Sequence, residues 1–164
     1  MSATTRERDW ASLTTALAHA LGELGTEDIL IIAHRHINHF VQVAGYGNGA
    51  LRIEAVSNTY IQPPSAALTV AQYERMSELG WRRATDDEPE VVIEVNDPHG
   101  SPNFFLDVPS ISKRRPVAKL LIQTLREVYG VRNTAMLNYH AFNNMLGDFG
   151  FPDMPLDRWE TVEG

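Results

Sequence analysis

The sequence contains no cysteine, which excludes a disulfide framework, thiolate zinc sites, iron–sulfur clusters and a thiol nucleophile. Nor has it any excess of basic residues: 14 Lys and Arg stand against 21 Asp and Glu, a formal charge of −7. With a pI near 5.3, no nucleic-acid partner is expected, because neutralising phosphates takes a basic face. The one compact basic run is Lys113-Arg114-Arg115. No apolar run approaches the roughly 20 residues of a membrane span, so no membrane partner is expected either. Residues 1–9 are polar and mixed in charge, without the apolar stretch of a secretory signal, and the expected location is the cytoplasm. Internal repeats and low-complexity segments are also missing.

What is present is the composition of a globular protein, with 43% hydrophobic and 21% charged residues, which separates it from disordered chains. A fold of 164 residues buries roughly 70% of the surface its unfolded chain exposes, enough for stability without staples. The expected organisation is one domain over residues 1–146 followed by a C-terminal tail, 147–164.

The first apolar period is helical. Trp10, Leu13, Leu17, Leu21 and Leu24 recur at three or four residues while Arg6, Arg8 and Glu23 fall on the other side, and Gly25 is a suitable stop. Three strands follow. Residues 29–33 form a β-branched run; residues 40–44 and 51–55 alternate with period two. The connection Tyr46-Gly47-Asn48-Gly49 has the residues of a tight hairpin, so the three strands read as a meander. Alternation puts Leu51, Ile53, Ala55, Val41 and Val43 on a core face and Phe40, Gln42, Arg52 and Glu54 on the other.

Thr69-Val70-Ala71-Gln72 matches a capping box, and the helix it starts carries Val70, Tyr73, Met76 and Leu79 before Gly80. Residues 91–95 and 103–108 predict a second strand pair around the breakers of 96–102. Pro116 suits the first turn of a third helix with the stripe Val117, Leu120, Leu121, Leu125 and Val128, ended by Gly130. Met136, Tyr139, Phe142 and Met145 predict a further helix over 135–146, and the Gly, Pro and acidic residues from Gly147 onward predict an extended tail that is either disordered or docked by Phe149, Phe151 and Trp159. The pattern αβββαββα, with an extra C-terminal helix, is that of an α+β sandwich: a mostly antiparallel sheet with helices packed on it.

Candidate chemistry is sparse. His34, His36 and His39 lie within six residues, and imidazole is the commonest metal ligand, so a metal-dependent hydrolase is one reading of this turn. The His-x-His phrase lacks the following Asp of metallo-hydrolases, and a solvated polar hairpin is the other reading. Glu54 with Asp107 or Glu94 offers paired carboxylates, with no separation fixed by spacing. No Gly-x-Ser-x-Gly elbow supports a serine nucleophile. Gly45-Tyr46-Gly47-Asn48-Gly49 joins two strands, without the lysine or following helix of a phosphate-binding loop. Nothing calls for a cofactor.

Several phrases then combine. Residues 40–43 (Phe-Val-Gln-Val), 51–58 (Leu-Arg-Ile-Glu-Ala-Val-Ser-Asn), 79–81 (Leu-Gly-Trp) and 124–131 (Thr-Leu-Arg-Glu-Val-Tyr-Gly-Val) resemble, in order and spacing, the actinobacterial TY-Chap domains. This group is related to type III secretion chaperones and YbjN, and the resemblance covers about residues 13–137. It implies a small α+β domain without catalytic machinery, similar to chaperones that dimerise and hold an extended client segment. It also implies structural roles for Trp81, closing the second helix onto the sheet, and for Gly130. The expectation is therefore a non-catalytic module that binds a protein or peptide client through exposed apolar surface and unpaired strand edges. Phe40, Gln42 and Arg52 are the candidate contacts, and a homodimer is expected.

Overall fold

A computed structural model describes residues 4–84 and 102–159 of the chain. Helix α1 (Thr5–Glu23) starts at Thr4, whose hydroxyl accepts the Glu7 N–H at 3.2 Å. Its expected stripe is buried: Trp10, Leu13, Leu17 and Leu21 are all 2% exposed or less. Each such side chain contributes roughly 1.5–3 kcal/mol relative to an exposed position. The strands β1 (Asp28–His34), β2 (Phe40–Gly47) and β3 (Ala50–Ala55) form the expected antiparallel meander. The turn between β2 and β3 uses positive φ at Gly47 (86°), Asn48 (56°) and Gly49 (79°), which is why the sequence needs glycine and asparagine there.

Helix α2 (Val70–Leu79) begins with the expected capping box, Thr69 and Gln72 bonding each other's backbone N–H at 3.2 and 2.7 Å. Gly80 ends it in the left-handed conformation, φ 104°, and the Trp81 N–H turns back to the Met76 carbonyl at 3.1 Å. Strand β4 (Phe104–Val108) pairs with β3. The expected strand at 91–95, the acidic turn before it and Glu94 lie outside the described residues. Helix α3 (Arg114–Gln123) carries Pro116 in its first turn and runs on as a π-helical turn, Thr124–Val128, with Gly130 (φ 70°) beyond its end. Trp81 is buried in the core shared with the sheet, and its indole N–H donates to Thr124 Oγ1 of this turn at 2.9 Å in a buried contact.

The helix expected at 135–146 is not formed. A short 3-10 turn (Thr134–Met136) leads into strand β5 (Leu137–Asn143), which pairs antiparallel with β1 along seven residues. The i, i+3 spacing of Met136, Tyr139, Phe142 and Met145 fits a helix, but burial follows period two: Leu137, Tyr139 and Ala141 are buried, while Asn138, His140 and Phe142 are half-buried. Pairing with β5 satisfies the backbone groups along the β1 edge, which a helix there would leave open. Met145 and Leu146 sit 84% and 88% exposed at a hairpin tip rather than in a core.

Beyond that tip, β6 (Gly147–Phe149) returns antiparallel to β5, and β7 (Asp157–Arg158) lies parallel beside it. Phe151 and Met154 are buried between them, while Trp159 is 45% exposed. The described strands run in the order β4-β3-β2-β1-β5-β6, with β7 beside β5. Helices α1, α2 and α3 place their buried side chains in one hydrophobic core with Leu30, Ile32, Val41, Val43, Leu51, Ile53, Leu137 and Tyr139. The protein is thus an α+β sandwich whose mostly antiparallel sheet has its helices on one face.

Candidate functional site

The other face of the sheet presents the alternate residues, and strand register fixes which of them are neighbours. One row across the sheet reads Phe105, Glu54, Gln42, Ile31 and His140; the next reads Asp107, Arg52, Ala44, Ile29, Phe142 and Asp148. A third sets Phe40 beside Ala33 and Asn138. Ile29, Ile31 and Phe142 are half-buried and lie outside the core cluster, whereas Phe40, also half-buried, touches its margin.

Polar groups flank this apolar centre. On the β3–β4 side the Gln42 amide donates to Glu54 Oε2 at 3.2 Å, and Arg52 lies 3.4 Å from Asp107. Arg52 also covers the Phe105 ring, its guanidinium carbon 4.5 Å from the centroid, and Arg82 stands at 5.0 Å from the same ring. Cation–π contact of this kind explains how Phe105 is 2% exposed on a face that the core does not use. On the β5 side, the His140 ring packs 4.9 Å from Phe142 and 5.9 Å from Trp159. His140 Nε2 is 3.2 Å from Asp148 Oδ1 but lacks the alignment of a hydrogen bond.

The three contact residues expected from sequence, Phe40, Gln42 and Arg52, therefore share one face on neighbouring strands. Sequence reasoning missed His140 and Phe142 on this face, because reading 135–146 as a helix hides its alternation; Trp159, expected to dock the tail, does so against His140. The available signal was Leu137-Asn138-Tyr139-His140-Ala141, polar and apolar by turns.

The expected open strand edges are already in use along part of their length. Arg82 and Phe105 exchange two backbone hydrogen bonds of 3.1 Å at the outer side of β4. The outer side of β5 is taken by β6 and β7, and the Trp159 N–H donates to the Tyr139 carbonyl at 2.6 Å. The C-terminal segment thus occupies a position along β5 that an added strand would take.

The histidine turn does not converge. His34 Nδ1 accepts the backbone N–H groups of His36 and Ile37 at 3.0 and 3.2 Å, leaving that nitrogen no lone pair for a metal. Burial, with His36 and His39 nearby, holds its pKa below the ordinary 6.5. His39 points to the core side, where its ring stacks on Tyr129 at 5.0 Å and Nε2–H donates to the Ala66 carbonyl at 2.9 Å. Among the described residues, no three His, Asp or Glu side chains are grouped to hold a metal ion. The candidate carboxylates Glu54 and Asp107 are each engaged, with Gln42 and Arg52, and belong to different rows.

The family model described as T3SS (YopN, CesT) and YbjN peptide-binding chaperone 3 matches residues 3–143. The chain belongs to this family. The description of this TY-Chap family names peptide binding. The matched residues end with β5, so β6 and β7 lie beyond them. No curated protein and no solved structure matches this TY-Chap chain.

Proposed function

We propose that this protein is a non-catalytic chaperone-like module that holds an extended segment of a protein client, such as a secretion substrate, across the second face of its sheet. The observation that carries the reading is the strip formed by Ile29, Ile31 and Phe142, half-exposed and outside the core, with Phe40 at its margin. Membership of a peptide-binding family supports it. An extended segment turns alternate side chains to one side, so apolar residues of the client bury on the strip while Gln42 and Arg52 receive its polar groups. The same face lends itself to an isologous contact between two copies, and a homodimer is part of the proposal. So is a cytoplasmic location.

The test places a photo-crosslinking side chain at position 40 or 142 in the native host and identifies the adduct by mass spectrometry. One client cross-linked from both positions is the expected result. The double variant Phe40→Asp with Phe142→Asp, folded by circular dichroism, should recover much less of that client. Equal recovery would remove the face from consideration. Light scattering on the purified protein decides between dimer and monomer.

A further inference from the structure

On the far side of the molecule, where α1 lies against α3, a surface groove of about 680 Å³ runs between them. Its floor includes Ile122 and Val131, and four cations line it: Arg6, Lys119, Arg126 and Arg132. The spacing explains part of this. Lys119, Ile122 and Arg126 stand at i, i+3 and i+7 along α3 and its π-helical turn and so share a side, while α1 supplies Arg6 from its first turn.

The cations are available. Among the described residues none of the four lies within ion-pair distance of a carboxylate, whereas Arg35, Arg52 and Arg75 do. The groove's acidic side chain, Glu127, is already matched by Arg75 at 2.6 Å. Arg126 is held in place by stacking over Trp10, 4.9 Å from the ring, so less side-chain freedom is lost when it binds. In a chain of net charge −7, four cations outside ion-pair distance of a carboxylate, with Arg126 near enough to Glu127 to act on it, leave this groove an excess of positive charge, opposite in sign to the whole.

The geometry points to a second recognition site on this helical layer, for a short acidic peptide segment that carries aliphatic residues among its Asp and Glu. Carboxylates meet the four cations; Ile122 and Val131 are only 5% and 4% exposed, so charge complementarity carries the recognition and an aliphatic side chain adds a shallow contact over them. The overall negative charge disfavours a long polyanion such as nucleic acid, whose further phosphates would run out over acidic surface. The site is independent of the sheet face and rests on its own charge complementarity.

The experiment measures fluorescence anisotropy of a labelled peptide of alternating Glu and Leu on the full-length protein. Companion peptides carry Gln or Lys in place of Glu, and a short single-stranded oligonucleotide and inorganic phosphate serve as competitors. The Glu peptide should bind, should weaken as salt is raised, and should outbind the Gln peptide by at least about tenfold. Lys119→Glu with Arg132→Glu changes two exposed side chains, so the fold is kept, and should lower affinity by at least about tenfold. Phe40→Asp with Phe142→Asp should leave this binding unchanged, which separates it from the sheet-face reading. Equal binding of Glu and Gln peptides, no response to the charge reversal, or tighter binding of the oligonucleotide or of phosphate than of the peptide would overturn the proposal.

Discussion

Gly45 lies in the middle of β2, where its backbone is pressed against the loop leaving α1. A Cβ at this position would sit 2.1 Å from the Gly25 carbonyl oxygen and 3.0 Å from its carbon. An ordinary carbon–oxygen contact is about 3.3 Å, so Gly45→Ala forces two backbone segments apart by roughly 1 Å. Neither is free to move. The Gly45 carbonyl accepts from Glu27, the Gly25 carbonyl accepts from Asp28, and the Gly25 N–H donates to Asp28 Oδ2 at 2.7 Å. Overpacking costs about 1–3 kcal/mol, and weakening one or two of these hydrogen bonds adds about 1 kcal/mol each. A loss near 3 kcal/mol corresponds to roughly 6–12 °C in Tm for a chain of this size. Gly25→Ala is the control: its Cβ meets only Asp28 Oδ2, at 3.6 Å, and a change within about 1 kcal/mol is expected. Thermal and urea melts followed by circular dichroism make the comparison. If Gly45→Ala melts with Gly25→Ala and the wild type, the close approach of β2 to the α1–β1 loop is wrong.

Thr124→Val keeps the shape of a fully buried side chain but removes the acceptor of the Trp81 indole N–H. An unsatisfied buried donor costs about 1–3 kcal/mol, and urea unfolding should show that loss while Thr124→Ser retains most of the stability. His34 makes stability depend on pH. Its folded pKa is lowered from 6.5 by burial, with His36 and His39 adding repulsion, so the unfolded chain takes up the proton more readily. Its contribution is complete above 6.5 and is lost as pH falls below it toward the folded value. Protonation also turns Nδ1 into a donor facing the N–H groups of His36 and Ile37. Melting temperatures of wild type and His34→Gln, compared over the roughly pH 5–8 range of histidine titration, should diverge on the acid side, with the wild type losing more. A wild type that gains stability on acidification relative to the variant would contradict the burial of this ring.

Local chemistry was legible wherever one residue's backbone preference settles the outcome. The Thr69 capping box, the Gly80 and Gly130 stops, the Gly47-Asn48-Gly49 turn and the stripe of α1 all lie where their residue types require them. The sharing of one face by Phe40, Gln42 and Arg52 was equally readable, because side chains in a strand alternate with period two. Residues 135–146 were not, since Met136, Tyr139, Phe142 and Met145 fit a helix while Leu137, Tyr139 and Ala141 fit a strand, and Tyr139 serves both patterns.

By itself, then, the sequence determined helix ends, turn positions and the sidedness of each strand, for these follow from interactions within a few residues. Tertiary structure alone decided that β5 is a strand, because the open edge of β1 needed a hydrogen-bonding partner more than Met145 needed burial. It alone closed the β5 edge with β6 and β7, turned His39 away from His34, and joined Arg6 of α1 to the cations of α3 around one groove. Each of these depends on contacts between residues far apart in the chain, which no local pattern encodes.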